Sequence, residues 1–124
     1  MIIPHGVRYG DGSTYAQDSG EVYLYKFDDG DFTNATLMGR IGKGYTGGKN
    51  VNISSLGKGD KFGRSLSFDS TGKRLAVGAT GDDGNGNKYR EAGAVYLITF
   101  DDTSYTNGQV VGTIGAGYLS LIHI

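Results

Sequence analysis

The chain has 124 residues, with 12 Lys and Arg against 13 Asp and Glu, two His and no Cys. A net charge of -1 excludes the broad basic field that non-specific nucleic-acid binding requires, and the missing thiols exclude a disulfide framework, a thiolate metal site and a cysteine nucleophile. The 37% hydrophobic share supplies a core but no stretch that reads as a membrane span. Twenty-three glycines and a single proline, among many Val, Ile, Tyr, Phe and Thr, point to an all-β chain of short strands and tight turns. Met1-Ile-Ile-Pro-His-Gly lacks both a basic n-region and an extended apolar h-region, so it does not read as a signal peptide.

In chain order, Gly20 to Phe27 and Leu37 to Ile41 are expected strands, joined across Asp28-Asp29. A connection rich in Gly, Asn and Lys runs from Gly42 to Gly59. From Phe62 to Phe68 the pattern alternates, with Phe62, Leu66 and Phe68 on one face, and the polar turn Asp69-Ser-Thr-Gly72 leads into the apolar Lys73 to Ala79, which makes a hairpin. Thr80 to Ala92 is a long polar loop. Gly93 to Phe100 is apolar on both faces, which predicts a central strand covered on both sides. Asp101 to Asn107 forms a further turn, and Val110 to Ile114 a fourth, shorter strand.

Comparing the chain with itself shows that the segment from Gly20 to Tyr45 aligns without a gap to the segment from Gly93 to Tyr118, a 73-residue tandem repeat in which the step from Gly20 to Gly93 holds at every pair. Fourteen of the 26 pairs are identical, and others are conservative, such as Phe32 with Tyr105 and Leu37 with Val110. After Tyr118 the correspondence stops. Leu119-Ser-Leu-Ile-His-Ile shares nothing with Thr46-Gly-Gly-Lys-Asn-Val and reads as a translation of the transposon end used in sequencing libraries, with a divergent last strand as the alternative, so residues 119–124 are set outside the repeat and the protein is expected to continue beyond Tyr118. The expected organisation is the end of one unit over residues 1–45 and a full unit over 46–118. Four antiparallel strands per unit describe a propeller blade, and a unit of this size is expected to need stacked neighbours for stability.

Gly59-Asp-Lys-Phe-Gly63, Leu75-Ala-Val-Gly-Ala-Thr80 and Gly93-Ala-Val-Tyr96 together resemble the FG-GAP repeat of integrin-α-like β-propellers, of the kind carried by bacterial surface and secreted proteins. The resemblance implies four-stranded blades in tandem, an extracellular or cell-surface location, and a role in adhesion or ligand binding without catalysis. Neighbouring repeats of the same chain are the first partners it implies. The family's calcium loop has several carboxylates between strands one and two, whereas Asp69-Ser-Thr-Gly-Lys-Arg74 offers one carboxylate and two cations. The same hairpin also resembles the turn of WD40-like or TolB-like propellers, and a purely structural spacer is the alternative to a binding role.

Among candidate sites, Asp82, Asp83, Asn85, Asn87 and Tyr89 in the loop between strands two and three, with Tyr45 and Lys49 in the connection to the next unit, form the expected surface for a protein or glycan ligand. Asp83-Gly-Asn85-Gly-Asn87 has the alternation of a calcium loop, but Lys88 stands where glycine is required and Ala94 where a bidentate glutamate belongs, so a solvated loop is the better reading. No cofactor is expected, calcium being the only one the pattern suggests. Gly42-Lys-Gly-Tyr-Thr-Gly47 satisfies a dinucleotide-binding spacing, yet the residues after it do not open the helix that a phosphate cradle needs. The repeated pairs Asp28-Asp29 and Asp101-Asp102 fit turn capping better than acid/base chemistry.

Overall fold

The computed structural model describes residues 2–5, 19–57, 59–82 and 93–115. Within them lie eight strands and no helix: β1 (Ile2–His5), β2 (Glu21–Lys26), β3 (Thr36–Gly42), β4 (Val51–Asn52), β5 (Phe62–Phe68), β6 (Arg74–Ala79), β7 (Ala94–Thr99) and β8 (Gln109–Gly115). They form two four-stranded sheets, ordered β1-β2-β3-β4 and β5-β6-β7-β8. All neighbours are antiparallel except β3 and β4, which pair in parallel. The first sheet therefore reaches past Tyr45, where the sequence places the unit boundary, and takes in Val51–Asn52.

The two sheets share local irregularities as well as order. Register slips between Leu24 and Tyr25 in the first sheet and between Leu97 and Ile98 in the second, which are matching positions of the repeat. In β5 the register shifts between Phe62 and Ser65, opposite Ala79 and Gly78. A bulge of this kind bends a strand and re-aims its side chains without exchanging its faces where two residues are skipped. Phe62, Leu66 and Phe68 accordingly share one face, as the alternation predicts, because their partners Ala79, Val77 and Leu75 lie two residues apart along β6.

The sheets stack with one face of each in a common core. Val22, Leu24, Ile41 and Val51 from the first sheet share a buried cluster with Phe62, Leu75, Val77, Tyr96 and Ile98 from the second, and Ile53 and Leu56 of the segment between β4 and β5 belong to it as well. Phe62 is fully buried and meets the Tyr96 ring edge-on at 5.4 Å between centroids. The seat is made by backbone as well as side chains. Gly20 forms a parallel bridge to Phe62, the Phe62 amide donates to the Ser19 carbonyl at 2.8 Å, and a Cβ on Gly20 would overlap the Phe62 backbone. A Cβ on Gly63 would lie 2.8 Å from the Glu21 carbonyl oxygen, and its φ of +98° is itself a glycine conformation.

One expectation is corrected. The central strand β7 is covered on one face only: Ala94, Tyr96 and Ile98 are buried, whereas Val95 is 36% exposed and Leu97 only partly covered. Leu97 and Val95 point away from the first sheet, on the side of the second sheet where no further layer lies among the described residues.

Phe62 sits where both sheets close on one side chain, so Phe62→Ala should lower the unfolding free energy by about 3–5 kcal/mol in a urea titration. A loss below about 1 kcal/mol would show that the sheets do not share this core.

Candidate functional site

The polar chemistry of the first sheet gathers around Glu21, a residue only 3% exposed. Tyr23 donates its hydroxyl to Oε1 at 2.8 Å, and Tyr45 donates to Oε2. The Arg40 guanidinium lies over both phenol rings, 5.4 Å from the Tyr23 centroid and 5.8 Å from that of Tyr45. Burial, followed by the hydrogen bond to Glu21, raises the pKa of both Tyr45 and Tyr23. Each carboxylate oxygen is engaged by a phenol, so the cluster works as a clasp that fastens the Tyr45 turn onto β2. Tyr45, expected to face a ligand, is its outer arm.

Lys49, the second candidate on this connection, extends its ammonium to the Ser104 carbonyl of the other sheet at 2.6 Å. The connection itself is closely pinned. Asn50 accepts from the Arg40 amide, Asn52 accepts from the Gly44 amide, both at 2.8 Å, and Lys43 donates to the Ser54 carbonyl at 2.7 Å. Residues 48–57 run through turns and β4, so Gly42 to Gly47 precedes no helix and builds no phosphate cradle.

Asp82 opens the loop between β6 and β7 and is buried, accepting from the Tyr96 hydroxyl at 2.7 Å while its carbonyl accepts from the Gly93 amide at 2.8 Å. It closes the neck of that loop. Asp83, Asn85, Asn87 and Tyr89 lie outside the described residues. The calcium pattern that these residues suggest therefore has only Asp82 on view, and its carboxylate is bonded to Tyr96.

Asp69 in the β5–β6 turn is bonded internally: Oδ1 accepts from the Thr71 hydroxyl at 2.7 Å and amide at 3.1 Å, and Oδ2 faces Arg74 at 3.8 Å. The Thr71 hydrogen bond leads the effects that hold its carboxyl below the ordinary range. With one carboxylate and an adjacent guanidinium, this turn does not fit a calcium ion, which takes six to eight oxygens.

Two turns at matching positions of the repeat are near duplicates. In one, Asp29 Oδ1 accepts from the amides of Asp31 at 2.9 Å and Thr33 at 3.3 Å; in the other, Asp102 Oδ1 accepts from Ser104 at 2.9 Å and Thr106 at 3.3 Å. Asp28 accepts from the Asn34 side chain and Asp101 from that of Asn107. The repeated aspartate pairs are thus turn caps, as their sequence setting suggests, and the acceptor geometry keeps Asp29 and Asp102 below the usual carboxylate range, led by the Asp31 amide and the Thr106 hydroxyl respectively. Each turn holds an aromatic residue at positive φ, Phe32 at 60° and Tyr105 at 64°. Tyr105 uses that pose to reach the first sheet. Its hydroxyl donates to the Tyr25 carbonyl at 3.0 Å, its ring lies against Phe68 and Phe100, and Lys26 donates to the adjacent Ser104 hydroxyl at 2.8 Å.

The motif segments now have structural roles. Gly59-Asp-Lys-Phe-Gly63 places Phe62 between the sheets: Asp60, buried, accepts from the Gly57 amide at 2.7 Å and fixes the turn ahead of it. Residues 54–98 match the family model described as FG-GAP repeat. This segment is an FG-GAP repeat. No curated protein and no solved structure matches the chain. The FG-GAP match covers β5, β6 and most of β7, the strands that supply the second sheet's half of the core.

Glu21, Arg40 and Asp60 were not singled out from sequence. Glu21 could have been found as a departure between the two aligned segments, since Ala94 occupies the matching position. The clasp around it carries a pH signature. A tyrosine whose folded pKa lies above its ordinary value of 10.0 keeps its contribution below pH 10 and loses it as pH rises further, because the unfolded chain ionises first. Stability measured by urea titration should therefore begin to fall near pH 10 and keep falling as pH rises further, and replacing Tyr23 and Tyr45 together by Phe should flatten the fall, leaving the part due to Tyr105, whose phenol is also raised by burial.

Proposed function

We propose that this chain is part of a non-enzymatic scaffold in an extracellular or cell-surface protein, built from propeller-type blades in tandem repeat, and that the parent protein binds a protein or glycan partner through its loops. The observation that carries the scaffold reading is a difference between matching positions. Val22 and Ile41 are fully buried, whereas their counterparts Val95 and Ile114 are 36% and 49% exposed. The first sheet has its back covered by the second; the second has the same apolar back and nothing described over it. Such a face suits a further unit, and a closed ring of units would cover every back in turn.

The FG-GAP segment supports the surface location, since this repeat is typical of extracellular and surface proteins. The binding role rests on the polar loop of residues 80–92, which Asp82 and Gly93 close at its neck. The spacer reading draws on a different observation: Tyr45, Lys49 and Asp82 all commit their polar ends to bonds within the chain. The two readings separate on arrays of glycans and surface proteins probed with the full chain. Binding that drops at least about tenfold when Asp83, Asn85, Asn87 and Tyr89 are all replaced by Ala, with an unchanged melting temperature, supports the binding role. Absence of any binding, or binding indifferent to those replacements, supports the spacer.

A further inference from the structure

Asn107-Gly108 stands where the earlier copy of the repeat has Asn34-Ala35. The two asparagines are otherwise matched. Both are exposed, both hold a φ of 53°, and each aims its side-chain amide at the first aspartate of its own turn. The pair therefore isolates what the surroundings of each asparagine do to its side-chain amide, a thermally labile group.

The differences all act in one direction. Gly108 has no Cβ to hinder the approach of its backbone nitrogen to the Asn107 side chain, and packing demands that glycine, since a Cβ there would lie 2.6 Å from Val51 Cγ2 and 2.7 Å from Phe100 Cε1. Among the described residues no hydrogen bond engages the Gly108 amide. Asn107 donates to Asp101 Oδ2 at 3.4 Å, too long for a strong bond, whereas Asn34 donates to Asp28 Oδ2 at 2.9 Å. Asn107 Oδ1 also accepts from the Gln109 side chain at 3.3 Å, which draws electrons from Cγ, and Asn34 has no such donor among the described residues.

We propose that Asn107 is a site of spontaneous deamidation and that its conversion loosens the hold of the second unit on the first. The Gly108 nitrogen, after losing its proton to base, bonds to Asn107 Cγ; the Cγ–Nδ2 bond breaks and the side-chain nitrogen leaves as ammonia, closing a succinimide. Water then opens the ring at one carbonyl or the other, giving aspartate or isoaspartate, and no oxidant or reductant takes part. Either product bears on the contact between units. Aspartate sets a carboxylate where Asn107 donates to Asp101, so like charges meet in the turn. Isoaspartate adds a methylene to the backbone ahead of Gly108 and displaces it in a space already too tight for a Cβ. This is the turn whose Ser104 is held by Lys26 and Lys49 and whose Tyr105 is bonded to the Tyr25 carbonyl. The site is independent of the binding role proposed above.

The test is incubation of the full chain in mildly alkaline buffer without denaturant, followed by peptide mapping in a mass spectrometer and enzymatic methylation of isoaspartate. The map scores the Asn85-Gly86 pair of the polar loop separately. Asn107 should convert at least about tenfold faster than Asn34, with isoaspartate among the products. Ala35→Gly should raise the rate at Asn34. Asn107→Gly, which keeps a residue suited to positive φ, should abolish isoaspartate at this position. The aged chain should unfold at lower urea than the fresh chain, a loss that the Asn107→Gly chain escapes and that Asn107→Asp, made in the gene, reproduces in part. Equal rates at Asn107 and Asn34, conversion of Asn107 only once urea unfolds the chain, or a loss of stability on ageing that is absent in the wild type or equal in the Asn107→Gly chain would each overturn the proposal.

Discussion

The structure depends on a place where two sheets touch through backbone. Sheets normally pack about 10 Å apart, with two layers of side chains between them. Along the line from Gly20 to Phe62 there is no such layer, because Gly20 bridges directly to Phe62 and Gly63 sits against the Glu21 carbonyl. The close approach is available only to residues without a Cβ, and it fixes how β5 lies against the first sheet. Phe62, flanked by this seat, then has one direction open to it, into the shared core against Tyr96. The Phe-Gly pair of the motif is a single device: the glycine permits the approach, and the phenylalanine fills the space that the approach creates.

The buried carboxylates serve the same end. Ionised groups are costly to bury unless they are bonded. Glu21, Asp60 and Asp82 are each bonded by groups near them in the chain or the sheet, and each closes a connection: the Tyr45 turn, the turn before Phe62, and the neck of the loop before β7. They hold the strand ends in register with the seat, so that loops can vary beyond them without disturbing the core.

How much of this was legible differs from element to element. Strand positions were readable because alternation and turn residues agree locally; Phe62 to Phe68 and Arg74 to Ala79 follow from side-chain period and a polar turn that runs from Asp69 to Gly72. The shared core was half legible. Phe62 and Gly63 stood out as a motif, but their contact with Gly20 joins residues more than forty positions apart, and nothing in local pattern reports it. The reading of Gly93 to Phe100 as doubly covered came from its apolar residues on both faces. That pattern records what the strand is suited to meet, and in this chain only one side is met. Among the candidate site residues, Tyr45, Lys49 and Asp82 carry the composition of a ligand surface, yet an Asp, Lys or Tyr that caps or clasps looks the same in sequence as one that faces solvent.

Positions one repeat apart separate these cases. Where two copies of one pattern differ in burial while keeping the same backbone, composition cannot be the cause, and the neighbour must be. Tyr96 is buried while the identical Tyr23 is not; Val22 and Ile41 are buried while Val95 and Ile114 are not. The two differences run in opposite directions because front and back of a unit are different surfaces. A front cannot cover a front, since Tyr23 and Tyr25 lack the apolar back that Tyr96 and Ile98 have in front of them. Units of this kind can satisfy all their faces only by continuing in one direction, through more chain, more copies, or a ring that returns to its start.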